Sequence, residues 1–180
     1  VMIMSISIVI LAAGDSRRFH SNISKAYQKI GGKSLIEINI IKALKFKQIK
    51  KIVLVYNKKD LKRLSLLKLK NVKLLPGGKT RQQSTFKALK YLIKQKSIKK
   101  VLIHDVARPN FSLKLLNTIL RNIKNSKAVV PKIDIQDAVK QKINSGFYEY
   151  ILAKNRDNLF LTQTPQAFNL SEIYHLHKTN

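Results

Sequence analysis

The chain has no cysteine, only nine acidic residues, four prolines and six glycines among its 180 residues. Without cysteine there are no disulfides and no thiolate metal sites, and the four scattered histidines (His20, His104, His175, His177) do not make a zinc site. His175 and His177, two apart, are a weak ligand spacing that reads as surface. Scarce carboxylates leave a very short list from which a divalent cation could draw its ligands. No apolar run reaches membrane-spanning length, and no lysine or arginine precedes Arg17, so the charged start of a secretory signal is missing. The expectation is a soluble cytoplasmic protein that does not engage a membrane. There is no internal repeat, low-complexity tract or interdomain linker, and the length suits one domain with a substantial core.

What is abundant is positive charge, with 36 Lys and Arg giving a formal net charge of +27. Such a surface attracts polyanions, which raises the possibility of a nucleic-acid partner. The distribution argues against one. Most of the basic residues are lysines spread over nearly every element, with no arginine-rich or aromatic-interleaved segment. The charge therefore reads as solvated surface.

One turn organises the chain. The β-branched run Ile8-Val9-Ile10-Leu11 ends in Ala12-Ala13-Gly14, and Arg17, Arg18 and Lys25 follow. Such a run predicts a buried strand opening into a loop where backbone can approach a ligand closely. Amides beside fixed cations suit a polyphosphate. Taken alone, the turn is equally an ordinary connection after a first strand.

Strands and helices then alternate. Ser34 is placed to cap a helix to about Lys45 whose apolar face is Ile36, Ile40, Ile41 and Leu44. Lys51–Tyr56 reads as a strand, Asp60 opens a helix ending near Lys70, and Val72–Leu75 reads as a third strand. Pro76-Gly77-Gly78 leads to Thr80 and Gln83, which have capping-box spacing before a helix carrying Phe86, Leu89, Leu92 and Ile93. Glycines between a strand end and a helix start mark the usual ligand loop of an open α/β sheet, though they also make a plain turn. Lys100–Ile103 is a fourth strand and delivers His104-Asp105-Val106-Ala107-Arg108-Pro109. A carboxylate at the mouth of a buried strand asks for a reason. It is either a metal ligand or hydroxyl acceptor with Arg108 facing an anion, or half of a structural Asp–Arg pair. Ser112 caps a helix with Leu116, Ile119, Leu120 and Ile123, and Ala128–Val130 is a fifth strand.

This alternation predicts a mostly parallel sheet with helices on both faces. After Pro131 the pattern changes, and alternating segments around Asn144-Ser145-Gly146 predict a projecting hairpin over about 136–156. Arg156 to Phe168 reads as a loop with a short strand, and Ser171 as the cap of the last helix.

Five ordered segments resemble the 2-C-methyl-D-erythritol 4-phosphate cytidylyltransferases. They are Leu11-Ala12-Ala13-Gly14 with Arg18 and Lys25; Gly77-Gly78 through Arg81 and Ser84; His104 to Pro109; Asp137-Ala138-Val139-Lys140; and Arg156 with Gln163 to Phe168. The resemblance covers essentially the whole chain and implies a Rossmann-like α/β domain with a β-arm that builds a homodimer. It implies transfer of CMP from CTP to methylerythritol phosphate, with pyrophosphate released and magnesium present. Carried over by motif, the backbone of Ala12, Ala13 and Gly14 with Gly78 and Ser84 would hold the cytidine. Arg18 and Lys25 would stabilise the transition state. Asp105 would contact the metal and the sugar side, Arg108 and Ala138 would join it in positioning the substrate, and Arg156 would reach across the dimer to position the polyol phosphate.

Ser16 and Ser24 stand where the family usually has glycine and proline, and Ala138 where it has a substrate-binding threonine. The chain reads as one cytidylyltransferase domain over 1–180, stopping before the family's C-terminal acidic cluster and late lysine. A fragment, a fusion to the next pathway enzyme and an impaired protein are the explanations open at this point. Two other functions also stay open: a cytidylyltransferase for another polyol phosphate such as ribitol 5-phosphate, and a noncatalytic basic domain that binds nucleic acid.

Overall fold

The structure, a computed structural model, describes residues 5–14, 23–145 and 148–179, and of 142–153 the backbone only. Its first strand, β1 (Ile6–Ala12), is buried along its whole length. Ile6, Ile8, Ile10 and Ala12 face one core cluster, while Val9 and Leu11 face the other. A strand covered on both faces needs a continuous apolar run, which is what Ile8 to Leu11 supply. The one polar residue inside it, Ser7, donates its hydroxyl to the Lys51 carbonyl at 3.0 Å.

Two short strands, β2 (Lys29–Ile30) and β3 (Lys33–Ser34), form a hairpin through Gly31 and Gly32. Both glycines have positive φ, 56° and 78°, as a tight two-residue hairpin turn requires. Helix α1 (Leu35–Leu44) follows under a complete capping box: Glu37 N–H donates to the Ser34 hydroxyl, and Ser34 N–H donates to the Glu37 carboxylate. The Ser34 hydroxyl, which also donates to the Glu37 carboxylate at 2.7 Å, and then the Ser34 N–H hold that carboxyl below its usual range. The buried face of α1 is Leu35, Ile36, Asn39, Ile40 and Ala43, whereas Ile41 and Leu44 are exposed. The apolar stripe expected from sequence is thus rotated, because a buried asparagine occupies part of it.

Next come β4 (Ile49–Tyr56), a short α2 (Leu61–Leu66), β5 (Val72–Pro76), α3 (Arg81–Leu92), β6 (Lys100–Asp105) and α4 (Leu113–Asn122). Helix α2 stops four residues before the expected Lys70. On α4, Ser112 caps through Leu115 N–H, and Leu116, Ile119, Leu120 and Ile123 are all buried.

The remainder departs from simple alternation. It comprises β7 (Ala128–Val129), β8 (Lys132–Asp134), β9 (Val139–Ser145), β10 (Tyr148–Lys154), β11 (Phe160–Thr162), β12 (Gln166–Asn169) and α5 (Leu170–Thr179). The main sheet has six strands in the order β5-β4-β1-β6-β12-β7. Its first four are mutually parallel, whereas β12 inserts antiparallel between β6 and β7. The fifth strand from sequence, β7, is therefore a two-residue edge reached through β12. The 156–168 stretch forms two strands, since β11 also pairs with β8. The projecting hairpin is β9 with β10, a separate two-stranded sheet. Helix α5 is capped by Asn169, which accepts from the Ser171 and Glu172 amides, and not by Ser171.

Leu64 of α2, with α1 and α4, packs in one cluster, and α3 and α5 in the other. The helices therefore cover both faces of the sheet.

Candidate active site

Because β1, β4, β5 and β6 are parallel, their carboxyl ends share one edge, and the connections leaving that edge form the crevice where open α/β sheets bind ligands. An open cleft of about 1530 Å³ lies there. It is lined by Ala12, Ala13, Gly14, Lys25, Gly78, Ser84, Asp105 and Arg108, eight of the residues singled out from sequence. Three distant segments thus converge on one site.

One wall is backbone. A Cβ on Gly77 would lie 2.3 Å from the Ala13 Cβ, and one on Gly78 would lie 2.5 Å from the Gln83 Cβ. The β1 turn and the Gly-Gly loop therefore touch in a way that only glycine permits. Gly77 N–H donates to the Tyr56 carbonyl at 2.8 Å, Gly78 N–H to the Ser84 hydroxyl at 3.0 Å, and Lys79 N–H to Gln83 Oε1 at 2.9 Å. These amides are already committed, so Gly78 offers a ligand its carbonyl. The Thr80–Gln83 capping box is only half formed: Thr80 accepts from Gln83 N–H, but the Gln83 side chain serves Lys79. Asn57 Nδ2 donates to the Ala13 carbonyl at 3.2 Å and pins the first turn to the end of β4. The N-terminus of α3 opens into the same cleft.

Lys25 arrives on a single 3₁₀ turn, Lys25–Tyr27, in which Ala26 and Tyr27 are buried. That apolar anchor leaves Lys25 exposed at the cleft. The Tyr27 hydroxyl is buried without a hydrogen-bond partner among the described residues. Burial first, then the Asp60 carboxylate, pushes its pKa up to about 12.

The opposite wall is built of side chains. Asp105 ends β6, with Oδ1 3.0 Å from Arg81 Nε and Oδ2 3.7 Å from Arg108 Nε. Arg108 also donates to Gln163. Asp105 is thus ion-paired, as the structural reading from sequence expects, and it also lines the cleft. Beneath it His104 is fully buried, its ring edge-on to Phe111 with centroids 4.7 Å apart. Loss of solvation dominates there and pushes the His104 pKa down to about 4, so the ring is neutral near pH 7.

The structure does not bring every candidate together. Ala138 and Arg156 line a separate cleft of about 380 Å³ at the base of the hairpin, where Arg156 donates to the Gln136 carbonyl. Arg18 lies outside the described residues. Arg81 carries no role in the sequence reading, although its position directly after the Thr80 cap, at the mouth of the glycine loop, was the signal available for it. Asn57, Asn39 and Thr164 gave no such signal.

Among the described residues, no three His, Asp or Glu side chains converge as a metal cage. Asp105, the one carboxylate among the described residues lining the cleft, fits magnesium in its usual mode, with most ligands supplied by substrate phosphates and water.

A mostly parallel sheet with a backbone cradle on one side of its carboxyl-end crevice and a carboxylate on the other defines an open-sheet α/β protein that binds its ligand at that crevice. Comparison narrows the class. The sequence model of the 2-C-methyl-D-erythritol 4-phosphate cytidylyltransferases (IspD) matches residues 6–180. The chain is 45% identical to the bifunctional enzyme IspD/IspF of Pelagibacter ubique over 173 residues, covering 96% of this chain and 45% of that one. It is 34% identical to a 2-C-methyl-D-erythritol 4-phosphate cytidylyltransferase of Clostridium botulinum, covering 96% of this chain and 76% of that one. The structure superposes on 4-diphosphocytidyl-2C-methyl-D-erythritol synthase of Anaerococcus prevotii with a TM-score of 0.79 and 32% identity, over 98% of this chain and 76% of that one. On the bifunctional IspDF of Campylobacter jejuni the TM-score is 0.82 at 25% identity, over 98% and 44%. The chain belongs to the 2-C-methyl-D-erythritol 4-phosphate cytidylyltransferase family. It spans less than half the length of its bifunctional relatives.

Proposed function

We propose that this chain transfers the cytidylyl group of CTP to 2-C-methyl-D-erythritol 4-phosphate. A phosphate oxygen of the acceptor attacks the α-phosphorus of CTP, the bond from that phosphorus to the bridging oxygen breaks, and pyrophosphate leaves. The observation that carries this reading is the convergence of the β1 turn, Lys25, the Gly77–Ser84 loop and Asp105 on one crevice in a member of this family.

Each wall then has a task. With the Gly78 amide engaged by Ser84, its carbonyl is the group suited to the exocyclic amine that cytosine presents as a donor. Ser84 and the backbone of Ala12 to Gly14 complete the nucleoside seat. Lys25, with Arg18, supplies fixed positive charge where two phosphates are driven together, and such charge matters more in phosphoryl transfer than a base does. The acceptor is already an anionic nucleophile at neutral pH, so no histidine is needed to activate it. Magnesium, held by Asp105 and the triphosphate, would neutralise charge on the phosphates. Asp105 and Arg108 face the acceptor side.

Arg156 belongs to a second copy in this reading. Within one chain it sits apart from the main cleft, and the antiparallel β8–β11 pair exposes Ile133, Phe160 and Leu161, each 53% accessible. A homodimer formed through the β9–β10 arm covers such a surface and delivers Arg156 to the partner's cleft. No helix among the described residues is long and apolar enough to cross a membrane, and the proposed place of work is the cytoplasm.

Pyrophosphate release across a panel of nucleoside triphosphates and polyol phosphates tests the proposal. Release that requires CTP, methylerythritol phosphate and magnesium supports it. Preference for ribitol 5-phosphate, which Ala138 in place of the family's threonine makes worth including, overturns the acceptor assignment. Salt-sensitive polyanion binding with no turnover and no preference for CTP overturns the enzyme reading.

A further inference from the structure

The buried polar groups under Asp105 form a chain with one allowed direction. Asn39 Nδ2 is 2.7 Å from the Leu35 carbonyl and 3.0 Å from the Val106 carbonyl, and two acceptors can be met only by the amide NH₂. Its oxygen, 2.8 Å from His104 Nε2, must then accept, which places the ring proton on Nε2. The neutral ring leaves Nδ1 as an acceptor, so the Thr164 hydroxyl, 2.9 Å away, donates to it. With its proton committed, Thr164 Oγ1 can receive only a donor, and Asp105 N–H approaches it at 3.3 Å. Reversing the Asn39 amide, or moving the ring proton off Nε2, would set lone pair against lone pair in a buried site, which is costly. Asn39, His104 and Thr164 are 0%, 0% and 6% exposed, so water cannot easily repair a broken link.

The relay grips the acid loop on both sides. It holds the amide of Asp105 through Thr164 and the carbonyl of the next residue, Val106, through Asn39. Helix α1 adds a second clamp through Lys42, which donates to the carbonyls of Pro109 and Phe111. Thr164 in turn lies beside Gln163, the partner of Arg108.

We propose that His104 and Asn39 are positioning residues that set where the Asp105 carboxylate and Arg108 stand in the cleft, by dictating the direction of the Thr164 hydroxyl. The acceptor-side consequence rests on the function proposed above; the positional one does not.

Two substitutions divide the imidazole. Asparagine keeps an acceptor near the site of Nδ1, and glutamine keeps a donor near the site of Nε2. If the relay sets Asp105 through Thr164, His104→Asn keeps kcat/KM for methylerythritol phosphate closer to wild type. His104→Gln then loses about tenfold more, as expected for one mis-set buried hydrogen bond, with KM for CTP within about twofold in both. Thr164→Val reproduces the glutamine loss and Thr164→Ser restores activity, a pair that serves if the histidine variants do not fold. Equal losses in the two histidine variants that track their melting temperatures and affect both substrates alike overturn the proposal.

Nitrogen NMR of the wild-type imidazole supplies a readout besides turnover. An Nε2–H tautomer, with Asp105 amide exchange slow in wild type and accelerated in Thr164→Val, supports the positional claim. An Nδ1–H tautomer, or exchange that Thr164→Val leaves unchanged, overturns it. Should wild type release no pyrophosphate, the function reading fails while the NMR result still decides the relay.

Discussion

On the glycine wall of the cleft, Gly77 and Gly78 press backbone against Ala13 and Gln83, and the bonds that shape the loop mostly join residues within six positions of one another. On the acid wall, Asp105 is held by Arg81, 24 positions back, and by Thr164, 59 positions ahead. His104 reaches Asn39 across 65 positions. The first wall is shape made by absent side chains; the second is a network of side chains, each meaningless without the others. Two ways of building a site teach two kinds of fragility. The glycine wall should fail by steric intrusion, the acid wall by loss of orientation with packing intact.

Lys25, the cation carried on the apolar turn, should show the largest effect. Lys25→Ala should cost about 3 kcal/mol of transition-state stabilisation, on the scale of one oxyanion donor, with a melting temperature close to wild type because Lys25 is exposed while Ala26 and Tyr27 bury the turn in the core. Steady-state turnover alongside calorimetry checks this, and near-normal kcat would remove Lys25 from the mechanism.

Gly77→Ala comes next. Its new methyl meets the Ala13 side chain and the Ser84 hydroxyl, and overpacking of this kind costs about 1–3 kcal/mol. Denaturant melts should show that loss, and KM for CTP should rise while KM for the acceptor holds. A variant with unchanged stability and unchanged KM for CTP would mean the two turns can move apart, erasing the contrast between the walls.

The smallest effect is expected at Tyr27→Phe. Removing a buried hydroxyl that has no partner among the described residues should stabilise the fold by up to about 1 kcal/mol. The sign of its pH dependence follows from the raised pKa. The buried phenol favours the neutral form, so its contribution is fully present below pH 10 and is lost as the pH climbs from 10 through about 12. Wild type should therefore lose stability relative to Tyr27→Phe across that window, measured as a difference between the two melts so that the many lysines cancel. A parallel alkaline profile would indicate that the hydroxyl finds a partner.

The same contrast explains what was legible in advance. Helix starts at Ser34, Thr80 and Ser112 were readable because a cap is a contact three residues long. The cleft's backbone wall was readable for a similar reason, since Ala13-Gly14 and Gly77-Gly78 sit directly after apolar strand runs. Helix α1 was misjudged at Ile41 and Leu44, whose periodicity is apolar but whose place is solvent; Asn39 points inward because His104 waits there. Arg81 and Thr164 stand inside the family segments but were given no role of their own, since their side-chain partners lie 24 to 60 positions away.

Composition and periodicity alone determined a two-faced α/β sheet, an apolar first strand, the capped helices and a glycine-lined turn facing cations. All of these follow from interactions spanning a few residues. Only the tertiary structure decided that β12 enters antiparallel beside β6, that Asn39 and Thr164 meet on His104, and that Arg81 and Arg108 close on one carboxylate. Those partners are separated by long stretches of chain. Their pairing is selected by burial, where each polar atom must find its complement or pay its desolvation, and that condition exists only once the sheet has assembled.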